Sequence, residues 1–320
     1  KNPYGSHKDR HACIGEGSLG MDTFRNIVNH PVLNKLPMIL ETPNELPGYA
    51  AEIALLRQMD ECVAEDGELG YPSYFVDWPT SGHPEEKDGA RAINIMAARG
   101  AIDLLRHFGE KTDVAEALLA KLLKKEIVAR GNKKVLGLKH FATGLSREEQ
   151  ETLVSGGAKG MSTFMSYYIL KAVASFDKAA AIAMMKEYYG AMLDKGATTF
   201  WEDFSMDWAE NSCSIDAFPK EGQRDIHGDF GAYCYKGFRH SLCHGWASGP
   251  TAWLSRYVLG VQVLEPGCRK VKIEPHLGNL NRVEGSFPTP YGVIRIKHEK
   301  QANGKVLSDI QVPEGVELVK

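Results

Sequence analysis

The stretch Gly196-Ala197-Thr198-Thr199-Phe200-Trp201-Glu202-Asp203-Phe204 sets a carboxylate, Glu202, among the rings of Phe200, Trp201 and Phe204, with Asp203, Asp207 and Trp208 close behind. Carboxylates carry protons and aromatic faces stack on sugar rings, so this mixture points to carbohydrate chemistry. Apolar surroundings also disfavour the charged form of a carboxyl, which suits an acid or a base. The plainer alternative is a buried aromatic turn whose acids face water. Downstream, His240 and His244 stand four residues apart with Cys243 between them. That spacing on a helix face would offer two metal ligands, but zinc sites want at least three convergent ones. The neighbouring glycines and aromatics suit contact with a sugar better.

Several motifs in one order carry a resemblance to bacterial α-L-rhamnosidases. They are Gly196-Ala197-Thr198-Thr199 before Trp201-Glu202, then Ser241-Leu242-Cys243-His244-Gly245-Trp246-Ala247-Ser248-Gly249-Pro250, then Ile273-Glu274-Pro275-His276-Leu277-Gly278 and Pro288-Thr289-Pro290-Tyr291-Gly292. Residues 70–320 resemble the C-terminal half of such an enzyme. The resemblance implies an (α/α)6 barrel of paired helices followed by a β-domain. It implies that Glu202 acts as general base in an inverting hydrolysis and that His244 contacts the sugar. Tyr71-Pro72-Ser73-Tyr74-Phe75-Val76-Asp77-Trp78-Pro79 is similar to the family's sugar-facing Asp-Trp segment, making Asp77 and Trp78 candidate substrate contacts, and Trp201, beside Glu202, offers a stacking face as a third. For Trp78 alone, packing under the barrel is the alternative. The implied partner is a rhamnose-containing glycan or glycoside, with no cofactor.

Inverting hydrolysis needs a second carboxyl, usually ~6.5–9.5 Å from the first. In the family it comes from a motif of the type Asp-x-x-x-Arg-x-Glu-Arg, and nothing comparable occurs here. Glu61, Glu65, Glu85 and Glu86 lack the Asp and Arg partners. The expectation is therefore a rhamnosidase-type half-site with little or no turnover of its own.

Residues 1–63 stand apart. Lys8-Asp9-Arg10-His11, Ile14-Gly15-Glu16-Gly17, Gly20, Phe24 and Leu40-Glu41-Thr42-Pro43 resemble the C-terminal end of endonuclease IV, a zinc-dependent apurinic/apyrimidinic endonuclease of DNA repair. The resemblance implies that Asp9 and His11 ligate one zinc and Glu41 another. Alternate residues of an extended segment can point the same way, and mixed His/carboxylate sets suit catalytic zinc. The family spreads a larger ligand set round a whole barrel. One βα unit cannot close a barrel or pair its own strand, so these read as inherited ligands of an incomplete site, with Zn2+ a cofactor only if that site works. An economical account is a join of two truncated proteins, natural or artificial. An inert structural chain is the third class.

The elements that would hold these residues follow from periodicity. Met21, Phe24, Ile27 and Val28 predict a helix closed by Pro31, Pro37 to Thr42 a short strand ending on Glu41, and Ala50 to Val63 a second helix, which together read as a helix-strand-helix fragment of a TIM-type α/β barrel. An acidic join with Gly67 and Gly70 follows. From Asp88 to Lys195 the chain reads as repeated helices, with Ile93, Met96, Ala97, Ala101, Leu104, Leu105 and Phe108 as the face of the first and Gly109 as its stop. Ser146-Arg147-Glu148-Glu149 has capping-box spacing, and Met161–Ala174 with Asp177–Leu193 forms a helix pair. Residues 210–238 read as a long insert. Val261–Leu264, Lys270–Ile273 and Gly292–Lys297 alternate as strands. The expected class is mainly α: a partial (α/α)6-barrel helical array with a C-terminal β-domain, in segments 1–63, 64–260 and 261–320.

Composition narrows the rest. Thirty-eight basic against forty-one acidic side chains give a net charge of −3, which argues against a strongly electrostatic nucleic-acid or membrane partner. No apolar run approaches the ~20 residues of a membrane helix. The chain starts at Lys1 without a signal-peptide pattern and reads as a fragment, a processed product or an artificial one. Six scattered cysteines without a CxxC pair argue against a disulfide framework in a chain of this length. Compartment and oligomeric state are left open.

Overall fold

The computed structural model describes residues 13–14, 23–24, 27–28, 53, 63–70, 76–80, 82–226 and 240–319. Thr23, Phe24, Ile27, Val28 and Ile53 are helical, in line with the two front helices expected there. Asp9, His11, Glu41 and the strand expected over 37–42 lie outside the described residues. The chain divides into two compact units, 1–76 with 81–128, and 77–80 with 129–320.

In the first unit, helices α1 (Glu86–His107) and α2 (Asp113–Leu122) pack as a hairpin. Gly109, at φ 70°, ends the first turn in the left-handed region that a Cβ would strain. The buried stripe of α1 is Ala92, Ile95, Ala98 and Ile102, whereas Ile93 and Leu104 are 39% exposed and Phe108 58%. Both sets have helical spacing, so the face first expected is rotated from the one that packs. The acidic join is a closed turn: Val63 bridges Leu69, and both are buried. Buried Arg91 donates to the carbonyls of Gly67 (2.7 Å) and Leu122 (3.1 Å), pinning that turn to the end of α2. Gly67 lies against the Lys121 carbonyl, where no side chain would fit.

The second unit carries helices α3 (Lys133–Ala142), α4 (Arg147–Val154), α5 (Ser166–Ala174) and α6 (Lys178–Asp194). Each start except that of α5 has a side-chain cap. Asn132 caps α3, Ser146 and Glu149 make the full capping box of α4, and Asp177 caps α6. Residues 161–165 turn rather than extend α5, so that helix is shorter than its apolar run. Helix α5 packs between α3 and α6, and its Ile169, Leu170, Ala172 and Val173 are fully buried. Two short helices follow, α7 (Met206–Ala209) and α8 (Gly249–Trp253), the latter running on as a π-turn over Leu254–Val258.

The chain then becomes β. Strands β1 (Val261–Val263) and β2 (Lys270–Ile273) are antiparallel, and β6 (Glu317–Val319) joins β2 in parallel. A second sheet is the antiparallel meander β3 (Arg282–Thr289), β4 (Gly292–Lys300) and β5 (Val306–Gln311). Leu259, Val261, Val271, Ile294, Ile296 and Val316 form the core between them. Inward residues alternate along β4, and the third, His298, is buried with Nδ1 at 2.7 Å from Ser308 Oγ and Nε2 at 3.0 Å from the Leu259 carbonyl. No helix among the described residues is long and apolar enough to cross a membrane.

Candidate functional site

Two non-helical stretches of chain lie side by side and build the site. The first leaves α6 through Gly196, at φ 90°, where a Cβ would press on Ser214 Oγ at 2.6 Å. The second is 240–246. The Glu202 amide donates to the Ser241 carbonyl (2.8 Å) and the His244 amide to the Phe200 carbonyl (2.8 Å). The Glu202 carbonyl accepts from Trp246 Nε1 (2.9 Å) and Thr163 Oγ1 (2.5 Å). Both backbone polar groups of Glu202 are thus paired, which fixes where its side chain leaves the chain.

The two neighbouring acids differ in exposure. Trp201 and Asp203 point inward, 1% and 6% exposed. The Glu202 side chain keeps 15% of its surface, Oε2 accepts from the Ser241 amide at 3.1 Å, and His244 Nε2 stands 4.0 Å from Oε1. The His244 side chain is 33% exposed, and its ring lies edge-on to Trp246 with centroids 5.1 Å apart. Glu202 and His244 are thus brought together at a solvent-reaching edge.

The other expected sugar contacts fall differently. Trp201 is sealed between Phe204 (5.8 Å) and His240 (6.2 Å), so neither face of its ring is offered to a ligand. Asp77 is 2% exposed and committed: Oδ1 accepts from the Thr80 amide (3.0 Å) and hydroxyl, Oδ2 from Ser162 Oγ (2.5 Å). It braces the loop from beneath. Trp78 begins a single 3-10 turn, Trp78–Thr80, and its side chain lies outside the described part. His240 does not join His244 as a ligand; it is 5% exposed, and its Nε2 accepts from the Asp203 amide at 3.0 Å. Among the described residues no three His, Cys, Asp or Glu side chains converge as a metal site.

Two features of the site were not apparent from spacing. One is the layer under Glu202. Burial pushes the Asp203 carboxyl up to about 7; the bond it accepts from the Phe204 amide (2.8 Å) and the charge of Lys134 oppose this, while Asp77 and Glu202 add to it. The other is a set of half-buried rings beside the site. Phe164 lies 5.4 Å from Trp246 at a 36° tilt, and Tyr168 lies 5.9 Å from Phe164. Phe164 and Tyr168 come from the turn before α5 and its first turn, far from Glu202 in sequence, and only packing brings them there.

This architecture, helices followed by a small β-domain, is that of α-L-rhamnosidases. It matches the GH78 family rhamnosidase of Bacillus sp. GL1 with a TM-score of 0.62 and 20% identity, over 85% of this chain and 30% of that one. It matches the Streptomyces avermitilis α-L-rhamnosidase, solved in complex with L-rhamnose, with a TM-score of 0.60 and 16% identity, over 85% of this chain and 26% of that one. Residues 260–319 match the family model described as the bacterial alpha-L-rhamnosidase C-terminal domain. A separate resemblance is to proteins called probable endonuclease 4. That of Clostridium beijerinckii is 64% identical over 58 residues, and that of Bifidobacterium longum 61% over 54. These stretches cover 18% and 17% of this chain, and 21% and 19% of those proteins. One chain therefore carries likenesses to two unrelated enzymes, each over less than a third of the relative's length.

Proposed function

We propose that residues 64–320 form the base-bearing half of an inverting α-L-rhamnosidase site, built on part of an (α/α)6 barrel (64–260) and a β-domain (261–320). Glu202 is the general base, and its carboxylate holds and deprotonates the attacking water. His244, whose Nε2 stands 4.0 Å from Glu202 Oε1, contacts the sugar. Trp246 and Phe164, with Trp78 from the loop, supply apolar faces for the ring. The single observation that carries this reading is the partly exposed Glu202 carboxylate, braced by the Ser241 amide and facing His244.

The reaction lacks its second carboxyl here. Asp203 and Asp77, the acids beneath Glu202, are buried and hydrogen-bonded, and the Asp-x-x-x-Arg-x-Glu-Arg motif does not occur in the 320 residues. Loss of a general acid typically costs ~10²–10⁴ in rate, so the chain by itself turns over little, and with half of the site it binds rhamnose weakly. The test is hydrolysis of an aryl α-L-rhamnoside by the chain alone, then with a polypeptide supplying the acid-bearing part of the barrel. Activity is expected only in the second case, and Glu202→Gln should remove it. Unchanged turnover with Gln at 202 would reduce Glu202 to an acid in an aromatic turn. For residues 1–63 we propose a remnant of an endonuclease, whose Asp9, His11 and Glu41 hold no zinc tightly.

A further inference from the structure

The two stretches that carry Glu202 and His244 are joined by a short ladder. The His244 amide donates to the Phe200 carbonyl and the Glu202 amide to the Ser241 carbonyl, each at 2.8 Å. One residue further along the first stretch, the Asp203 amide donates to a side chain instead, His240 Nε2 at 3.0 Å. His240 thus stands in for a carbonyl at the end of the ladder. Its ring is 5% exposed and lies edge-on to Trp201 (6.2 Å, 79°) and Trp208 (6.0 Å, 89°). An imidazole nitrogen accepts only where it bears no proton, so this ring is neutral and carries its proton on Nδ1. The residue after His240 is Ser241, whose amide donates to Glu202 Oε2 at 3.1 Å. The residue before Asp203 is Glu202 itself. Each of these two bonds is therefore made by the immediate neighbours of the other.

We propose that His240, as the neutral imidazole protonated on Nδ1, is the positioning residue of this site. By accepting from the Asp203 amide it sets the register of the two stretches, and so keeps the Ser241 amide on Glu202 Oε2. The proposal rests on the rhamnosidase reading only for the role of Glu202 as base. A base needs one oxygen held while the other meets the water. The Ser241 amide takes Oε2, which leaves Oε1, the oxygen 4.0 Å from His244 Nε2, for that water. A displacement of about 1 Å at a reacting group costs on the order of 10²-fold in rate, so the register matters to the chemistry. Without an acceptor the buried Asp203 amide would be unsatisfied, a costly state that a chain relieves by moving. The backbone that would move is 202–203, and the bond from Ser241 to the carboxylate would go with it. Filling the space between two indoles asks only for a ring, which Phe also provides; the acceptor is what Phe lacks.

The test is 15N NMR of the intact chain. Ring correlations at neutral pH should show His240 with a proton on Nδ1 and none on Nε2, and a proton on Nε2 overturns the proposal. The Ser241 amide proton should shift as the Glu202 carboxyl titrates, because the donor senses the charge on its acceptor, and Glu202→Gln should abolish that response. Three variants then separate the acceptor from the ring: His240→Phe keeps the ring alone, His240→Gln keeps an acceptor at the same reach, and His240→Leu keeps neither. In the Phe and Leu variants the Ser241 response should be lost and the Asp203 and Ser241 amides should exchange with solvent at least about 10-fold faster, the scale of one hydrogen bond. His240→Gln should stay near the wild type in both. A wild-type response in His240→Phe, or a loss in His240→Gln equal to that in His240→Leu, overturns the proposal and leaves the ring as packing. Titration with L-rhamnose tests the other reading separately. An intact His240 register with no rhamnose-induced shift at Glu202 or His244 supports the positioning role and refutes the rhamnosidase assignment; rhamnose-induced shifts that survive unchanged in His240→Phe, with the Ser241 response intact, do the reverse.

Discussion

Asp203→Asn isolates the buried carboxyl under the candidate base. In the folded chain Asp203 titrates at about 7 rather than 3.8, chiefly because it is buried. Between those values the native state keeps a proton that the unfolded chain releases, so stability falls as pH rises from about 4 through 7 and then levels. The span corresponds to about 4 kcal/mol, an upper figure because the site can relax. Asn keeps an oxygen for the Phe204 amide and removes the charge that Asp77 and Glu202 repel. The variant should therefore match the wild type near pH 4 and exceed it by up to about 4 kcal/mol at pH 8–9. Urea unfolding by tryptophan fluorescence suits the measurement, since all five tryptophans belong to the unit 77–80 with 129–320. Burial also depresses His140 and His276, which gives an opposite slope at acid pH, but the difference between the two proteins cancels it. A stability difference that stays flat from pH 4 to 9 would refute the reasoning, and Asp203 would then be a solvated carboxylate.

Metal analysis after dialysis should find less than one zinc per chain, and an abasic duplex should stay uncut; one equivalent with incision would revive the endonuclease reading. Gly260→Ala should cost roughly 1–3 kcal/mol in urea unfolding, because Gly260 has φ 88° and a Cβ would run into the Glu274 carbonyl. Ser146→Ala should cost about 1 kcal/mol, read in the same assay, through loss of the bond to the Glu149 amide. An equal loss from Ser155→Ala, just past the end of α4, would show that the cap is not the cause.

That Glu202 and His244 would lie together was legible, because each sits in a compact motif whose neighbours do the positioning. The burial of Trp201 was not, because an aromatic beside an acid reads as a binding face until packing against Phe204 and His240 closes over it. The face of α1 was misread for a related reason: Ile93 and Ile95 both recur at helical spacing, and only the packing of α2 selects the second. Strand β3 escaped notice because Gly285 and Pro288 break its apolar alternation; Gly285 is small where Leu259 comes within 3.1 Å of its would-be Cβ. The capping box of α4 and strands β1, β2 and β4 were plain, since caps and period-2 runs are local signals. Trp246 and Phe164 come from separate segments, and no local signal links their rings.

Leu259 lies one residue before the stretch that matches the C-terminal family model, yet its side chain belongs to the β core and its carbonyl accepts from His298. An excised β-domain starting at residue 260 would therefore leave a hole against Gly285 and an imidazole nitrogen facing nothing. Cutting ahead of Trp253, so that the π-turn comes along, would keep both. The self-sufficient β module is thus longer at its front than the matched stretch suggests.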